Sequence, residues 1–169
     1  GYNGSVYYST TEIWSGSSWT TTSSMNVARY VLAGCGDINN ALSFGGGNGS
    51  VYYSTTEIWS GSSWATTSSM NVARYYLAGC GDINNALSFG GQNSSYLNTT
   101  EIWSGSSWAT TSALNVARRA FTGCGNINNA LSFGGYNGSS YFSTTEIWSG
   151  SSWATTSSLN GARSDLAGC

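Results

Sequence analysis

The chain has no histidine, no lysine and no proline, and only 7% of its residues are charged. Without histidine, the side chain that most often serves as a general base near neutral pH is missing. No Ser-His-Asp or Cys-His set can be assembled. Five arginines against seven acidic residues give a net charge of −2, so there is no basic patch to neutralise phosphates and nucleic-acid binding is not expected. No apolar run approaches the roughly 18 residues that a membrane-spanning helix needs. No glycine-rich phosphate loop precedes a helix, and no stretch reads as a helix. The chain opens at Gly1 with neither an initiator methionine nor a signal peptide. It reads as a mature chain, an excised piece or the ordered part of something longer.

Low charge goes with disorder only when apolar content is low as well. Here 40% of the 169 residues are hydrophobic and 14% aromatic. The expectation is one folded, rigid, all-β region with a surface rich in hydroxyls and amides.

The stretch Thr10–Trp19, Thr-Thr-Glu-Ile-Trp-Ser-Gly-Ser-Ser-Trp, recurs unchanged at 55–64, 99–108 and 144–153. Trp14, Trp59, Trp103 and Trp148 are 45, 44 and 45 residues apart, and Cys35, Cys80, Cys124 and Cys169 keep the same steps. A fixed period of this size marks a repeat architecture. Thr-Thr-Glu-Ile-Trp suits a strand, Ser-Gly-Ser-Ser a compact turn, and Trp-Ala-Thr-Thr a return strand. In the second unit, Arg74 to Cys80 reads as a first strand, Asp82 to Asn85 as a turn, and Ala86 to Phe89 as a second strand stopped by Gly90 and Gly91. Thr99 to Trp103 and Trp108 to Thr111 follow as third and fourth strands.

Four short antiparallel strands per repeat fit a propeller blade. The first two strands lack strict alternation, as expected of a blade sandwiched between neighbours. The composition excludes a helical solenoid, and a β-helix, with its usually shorter repeat, is a distant second. The region spans 1–169, with repeat boundaries near 1–28, 29–73, 74–117, 118–162 and 163–169. The copies begin with third and fourth strands and end in a first strand, so joining the ends leaves one blade a strand short. That reads as part of a longer array, or as one share of a homo-oligomeric ring. Gly161 and Asp165 set the last repeat apart and fit an end that faces water or another partner.

The four cysteines occupy one equivalent position. This argues against a disulfide framework, since equivalent sites in stacked repeats lie beyond the roughly 7 Å Cα limit unless they crowd an axis. Small buried apolar residues are the favoured reading, and a metal ring of thiolates the alternative. Glu12, Glu57, Glu101 and Glu146, with Arg29, Arg74, Arg118 and Arg163, recur once per repeat. They read as paired structural charges, because a catalytic carboxylate pair would be single and asymmetric. The tryptophans read as blade core. Asp37 to Asn40 and Asp82 to Asn85 faintly resemble a calcium loop, but Asn126 replaces the aspartate in the third copy and a plain turn explains all three. No cofactor and no metal are expected.

Gly-Gly after the second strand, Glu followed two residues later by an aromatic in the third, Trp in the fourth, and Leu/Met-Asn-x-Ala-Arg before the next blade together resemble the kelch repeat, across the whole chain. The phrasing Trp-Ser-Gly-Ser-Ser-Trp, Leu-Asn-x-Ala-Arg and Ala-Leu-Ser-Phe-Gly-Gly is also similar to kelch-like repeats of bacteriophage structural and tail-fibre-type proteins. The resemblance implies a closed ring of more blades than four repeats supply. Kelch-type copper oxidases need histidine ligands that this chain lacks.

The loop after Gly-Gly varies most between copies, and strand alternation puts it on the face of the Thr-Ser-Ser-Met/Leu-Asn loop. Asp-Ile-Asn-Asn and Ser-Gly-Ser-Ser, nearly constant, lie on the other. Tyr2, Asn3, Asn48, Gln92, Asn93, Tyr136 and Asn137 are the candidate ligand-binding residues: rings stack on C–H faces and amides bond hydroxyls, a mix suited to sugars, while rigid Tyr also suits protein contacts. Equally, Tyr8, Tyr53 and Phe142 can simply pack on the blade. Asn3, Asn48, Asn93, Asn98 and Asn137 begin glycosylation sequons, which matter only in a glycosylating source. The expected function is a non-enzymatic, multivalent binding module for a glycan or cell-surface ligand, extracellular or on a virion. A kelch scaffold for a protein partner and a designed consensus repeat are the alternatives.

Overall fold

The computed structural model describes residues 1–168. Its first two strands, β1 (Thr11–Trp14) and β2 (Trp19–Thr22), form a hairpin by themselves. Three four-stranded antiparallel sheets follow in chain order. The first holds β3 (Ala33–Gly36), β4 (Ala41–Phe44), β5 (Thr56–Trp59) and β6 (Trp64–Thr67). The second holds β7 (Ala78–Gly81), β8 (Ala86–Phe89), β9 (Thr100–Trp103) and β10 (Trp108–Thr111). The third holds β11 (Thr122–Gly125), β12 (Ala130–Phe133), β13 (Thr145–Trp148) and β14 (Trp153–Thr156). No helix occurs among the described residues. β3, β7 and β11 pack side by side as innermost strands, giving the repeated blades of a β-propeller-type fold that is not closed into a ring.

Local chemistry sets each element. In the Ser-Gly-Ser-Ser turn, Gly61 adopts φ 85° and Ser60 N–H donates to the Ser63 carbonyl at 3.1 Å. The register then places Trp59 opposite Trp64, with ring centroids 5.4 Å apart. The inner strands read Ala-Gly-Cys-Gly in β3 and β7 and Thr-Gly-Cys-Gly in β11, and the next layer leaves no room for a side chain at the first glycine. A Cβ on Gly79 would lie 2.4 Å from the Phe44 ring of the preceding blade. The first strand is shorter than its apolar run: Arg74–Leu77 is not part of it, because Tyr76 turns to φ 54°. Tyr76 N–H donates to the Val31 carbonyl, Ala120 N–H to Tyr76, and Asp165 N–H to Ala120. This ladder runs from repeat to repeat, and all four of its residues have positive φ, a conformation that bulky residues hold only when their surroundings impose it.

The tryptophans form the blade core wherever the blade is complete. Trp59, Trp103 and Trp148 are buried, while Trp14, in an identical decapeptide but a two-stranded sheet, is 47% exposed. The second tryptophan joins blades. Trp108 Nε1–H donates to Thr56 Oγ1 of the preceding blade at 2.9 Å, and its ring lies 5.0 Å from Phe44. Trp153 repeats both contacts with Thr100 and Phe89.

A methionine or leucine seals each junction. Ser43 Oγ–H donates to Met25 Sδ, and Ser88 to Met70. In the third copy Leu114 takes the methionine's place, and Ser132 Oγ is buried without a partner. Leu114→Met is close in volume and returns a weak sulfur acceptor. It should raise stability by about 0.5 kcal/mol, read as a higher denaturant midpoint at unchanged m-value. A lower midpoint would show that packing at Leu114 outweighs the lost hydrogen bond.

Cys80 is buried, Cys35 and Cys124 half-buried, and all three are free thiols. Cys169 lies outside the described residues. Burial, and then the neighbouring cysteine, pushes the thiol pKa of Cys35 and of Cys80 up from 9.0 to about 12. Reactivity needs thiolate, so Cys35 and Cys80 should resist iodoacetamide in the native protein at about pH 8, and the denatured chain should yield four reactive thiols. Two disulfides, or bound zinc, would contradict this. Because the folded pKa is the higher one, this contribution to stability is intact below about pH 9. It declines as pH rises towards 12, where unfolded thiols ionise and folded ones do not.

Candidate functional site

The recurrent charges build a buried node in each complete blade. Arg74 donates from Nη1 to the carbonyls of Gly90 (3.0 Å) and Thr99 (2.8 Å), and from Nη2 to Glu101 Oε1 (2.8 Å). Glu101 also accepts the N–H groups of Asn71 at 2.6 Å and Val72 at 3.1 Å, from the segment arriving from the previous blade. Arg29 with Glu57 and Arg118 with Glu146 repeat the arrangement at 2.7 and 2.8 Å. Burial lowers the pKa of each of these arginines, and the facing glutamate opposes the shift. The node explains why Asn-x-Ala-Arg and Glu travel together: they tie three segments to the Gly-Gly turn. Glu12 and Arg163, in the incomplete repeats, are exposed and form no ion pair among the described residues.

The two ends of the blades differ in chemistry. At one end, Asp37 Oδ1 accepts the N–H groups of Asn39 and Asn40, Asp82 does the same, and Asn126 matches them at 2.9 and 3.1 Å. Aspartate and asparagine are interchangeable here because only a side-chain carbonyl oxygen is needed. The adjoining Ser-Gly-Ser-Ser turns close on themselves, and Trp59, Trp103 and Trp148 donate to the carbonyls of Ile38, Ile83 and Ile127.

At the other end the loop after Gly-Gly pairs with the residue that follows the node arginine: Tyr30 with Gly47, Tyr75 with Gln92, Arg119 with Tyr136. The asparagines in these loops are turn formers. Asn3, Asn48 and Asn137 each accept two backbone N–H groups through Oδ1, and Asn93 accepts one. Asn3 spends its amide nitrogen on Tyr8 Oη and Asn93 on the Ala73 carbonyl, so those of Asn48 and Asn137 are what remains for other contacts. Tyr53 and Phe142 pack on the blade, over Arg29 and Arg118.

The rings that face outward form one continuous strip across the repeats. Tyr2 stacks on Tyr7 at 4.5 Å, and both lie within 6 Å of Tyr30. Tyr30 is 6.5 Å from Tyr75 and from Tyr76, and Tyr52 stacks on Tyr75 at 4.7 Å. Arg119 sits over Tyr76, Tyr96 and Tyr136 at 5.3, 5.6 and 5.7 Å, and Tyr136 meets Tyr141 at 4.9 Å. Tyr2, Tyr52 and Tyr141 are exposed. Of the residues singled out in sequence, Tyr2, Gln92 and Tyr136 belong to the strip or touch it. Tyr7, Tyr30, Tyr52, Tyr75, Tyr76, Tyr96, Arg119 and Tyr141 were not singled out. The available signal was the pair of positions after each node arginine, which reads Tyr-Val, Tyr-Tyr, Arg-Ala and Ser-Asp in the four copies while the Ala-Arg before it holds constant.

No protein-family model matches this chain, and no curated protein matches it.

Proposed function

We propose that the chain is a kelch-type propeller array acting as a non-enzymatic recognition module, and that its tyrosine strip contacts a glycan or other cell-surface ligand. An extracellular or virion surface protein is the setting that suits it. The observation that carries the reading is the strip itself, a run of ring contacts across the repeats in which Tyr2, Tyr52 and Tyr141 are exposed. Tyrosine offers large rigid contact area with few rotamers to freeze and a hydroxyl at its rim. Repeated weak contacts along one face gain from avidity. The kelch reading draws support from the roles found for its signature residues: Glu and Arg in the node, Gly-Gly beneath the next arginine's carbonyl, Trp between blades. A protein partner, bound on the same rings, is the second outcome of the test.

The test is a glycan array and a cell-binding assay with a triple variant, Tyr2→Ser, Tyr7→Ser and Tyr52→Ser. Binding should fall by about tenfold or more, with little change in thermal midpoint and little dependence on salt. Binding of this variant equal to that of the parent would overturn the assignment. So would loss of binding in a control carrying Ser62→Ala and Ser106→Ala at the opposite end.

A further inference from the structure

Four of the departures in the third and fourth repeats converge on one place. Arg119 and Ser164 follow the node arginine where Tyr30 and Tyr75 stand elsewhere. Ala120 and Asp165 occupy the positive-φ position of Val31 and Tyr76. Where Tyr75 and Tyr76 fill the preceding junction with rings, Ala120 and Ser164 leave space. The result is a cavity of about 220 Å³ lined by Tyr76, Arg119, Tyr136, Tyr141, Ser164 and Asp165. It is smaller than the roughly 300–1,000 Å³ of sites for drug-sized ligands.

We propose that this cavity is a subsite for a single neutral pyranose ring. The proposal rests on the reading of the tyrosine strip as a recognition surface and adds a ligand class to it. Arg119 is held in place before any ligand arrives. Its Nη1 donates to Gln92 Oε1 at 2.7 Å, and three tyrosine rings surround its guanidinium. Arginine carries five N–H donors, and among the described residues those on Nε and Nη2 have no partner. Asp165 receives Ser164 Oγ–H on Oδ2 at 2.6 Å, which leaves Oδ1 as an acceptor. Arg119 and Asp165 line one cavity without forming an ion pair, so it presents a donor fork and an acceptor at the same time. A sugar ring with several hydroxyls satisfies both, and its C–H face lies against Tyr136 or Tyr141. The opposite charges in the walls cancel. An anionic sugar gains Arg119 but meets Asp165, and a cationic one the reverse, so neither sign of charge gains an advantage over a neutral ring.

The test is saturation-transfer NMR on the whole 1–169 chain with the methyl pyranosides of glucose, galactose and mannose, beside methyl glucuronoside and serine. At least one neutral pyranoside should receive saturation on its ring C–H protons, with an affinity that changes less than about twofold between low and high salt. Arg119→Lys keeps the charge but loses the fork, and should weaken that binding by about fivefold or more. Asp165→Asn should also weaken it, with the thermal midpoint of both variants unchanged. The proposal is overturned if no neutral pyranoside binds, if both variants bind like the parent, or if the glucuronoside or serine binds more tightly. Separately, if the triple tyrosine variant loses array binding while these two variants keep monosaccharide and array binding, the strip is a recognition surface but this cavity is not its sugar site. If the triple variant also binds the array normally, the reading of the strip fails with it.

Discussion

Replacing Arg74 with alanine should cost about 3–5 kcal/mol, a large part of the roughly 5–15 kcal/mol that holds a domain together. The change strips partners from Gly90 and Thr99 and leaves Glu101 as a buried carboxylate without its cation. Urea unfolding of Arg74→Ala beside the parent reads this directly. A double variant, Arg74→Met with Glu101→Leu, should recover part of the loss, because a buried ion pair replaced by apolar groups is often neutral. Recovery should be incomplete, since Asn71 and Val72 would lose the carboxylate that accepts their N–H groups. A loss under about 1 kcal/mol for Arg74→Ala would mean that the blades do not depend on this node.

Trp103→Ala should destabilise by about 3–5 kcal/mol. The ring is fully buried in the second blade, packs against Trp108 at 5.5 Å and satisfies the Ile83 carbonyl at 2.8 Å. Trp14→Ala removes the same residue from the same ten-residue sequence and should cost less than about 1 kcal/mol, because the β1–β2 hairpin leaves that ring half exposed. The pair separates what the local sequence does from what the completed blade does. Equal losses at both positions would show that the hairpin, rather than the blade, holds the tryptophan.

The repeat architecture was open to reading because the period is nearly perfect and each element carries its own turn chemistry. Thr-Glu-Ile-Trp, Ser-Gly-Ser-Ser and Asp-Ile-Asn-Asn came out as strand, turn and turn. The one-per-repeat spacing of Glu and Arg anticipated the node. Three features were not legible. Tyr76 sits in an apolar run that reads as strand. Its backbone takes positive φ where its N–H donates to the Val31 carbonyl, 45 residues away, and no local pattern encodes that. The asparagines after Gly-Gly looked like ligand contacts because they are amides in variable loops. In the fold their carbonyl oxygens close the turns, which is the commonest use of asparagine there. Two rings of the strip come from Tyr-Tyr pairs in the loops, Tyr7-Tyr8 and Tyr52-Tyr53. The first ring joins the strip (Tyr7, Tyr52) and the second turns towards the blade (Tyr53 over Arg29).

Under the proposal, one end of the blades holds the structure and the other is the recognition surface. The most direct measurement is amide chemical-shift mapping of the chain titrated with the best glycan from the array. The account predicts shifts confined to residues 2–8, 47–53, 92–97 and 136–142 and to those that follow Arg29, Arg74 and Arg118. Shifts centred instead on residues 37–40, 82–85 and 126–129 and the Ser-Gly-Ser-Ser turns would contradict it.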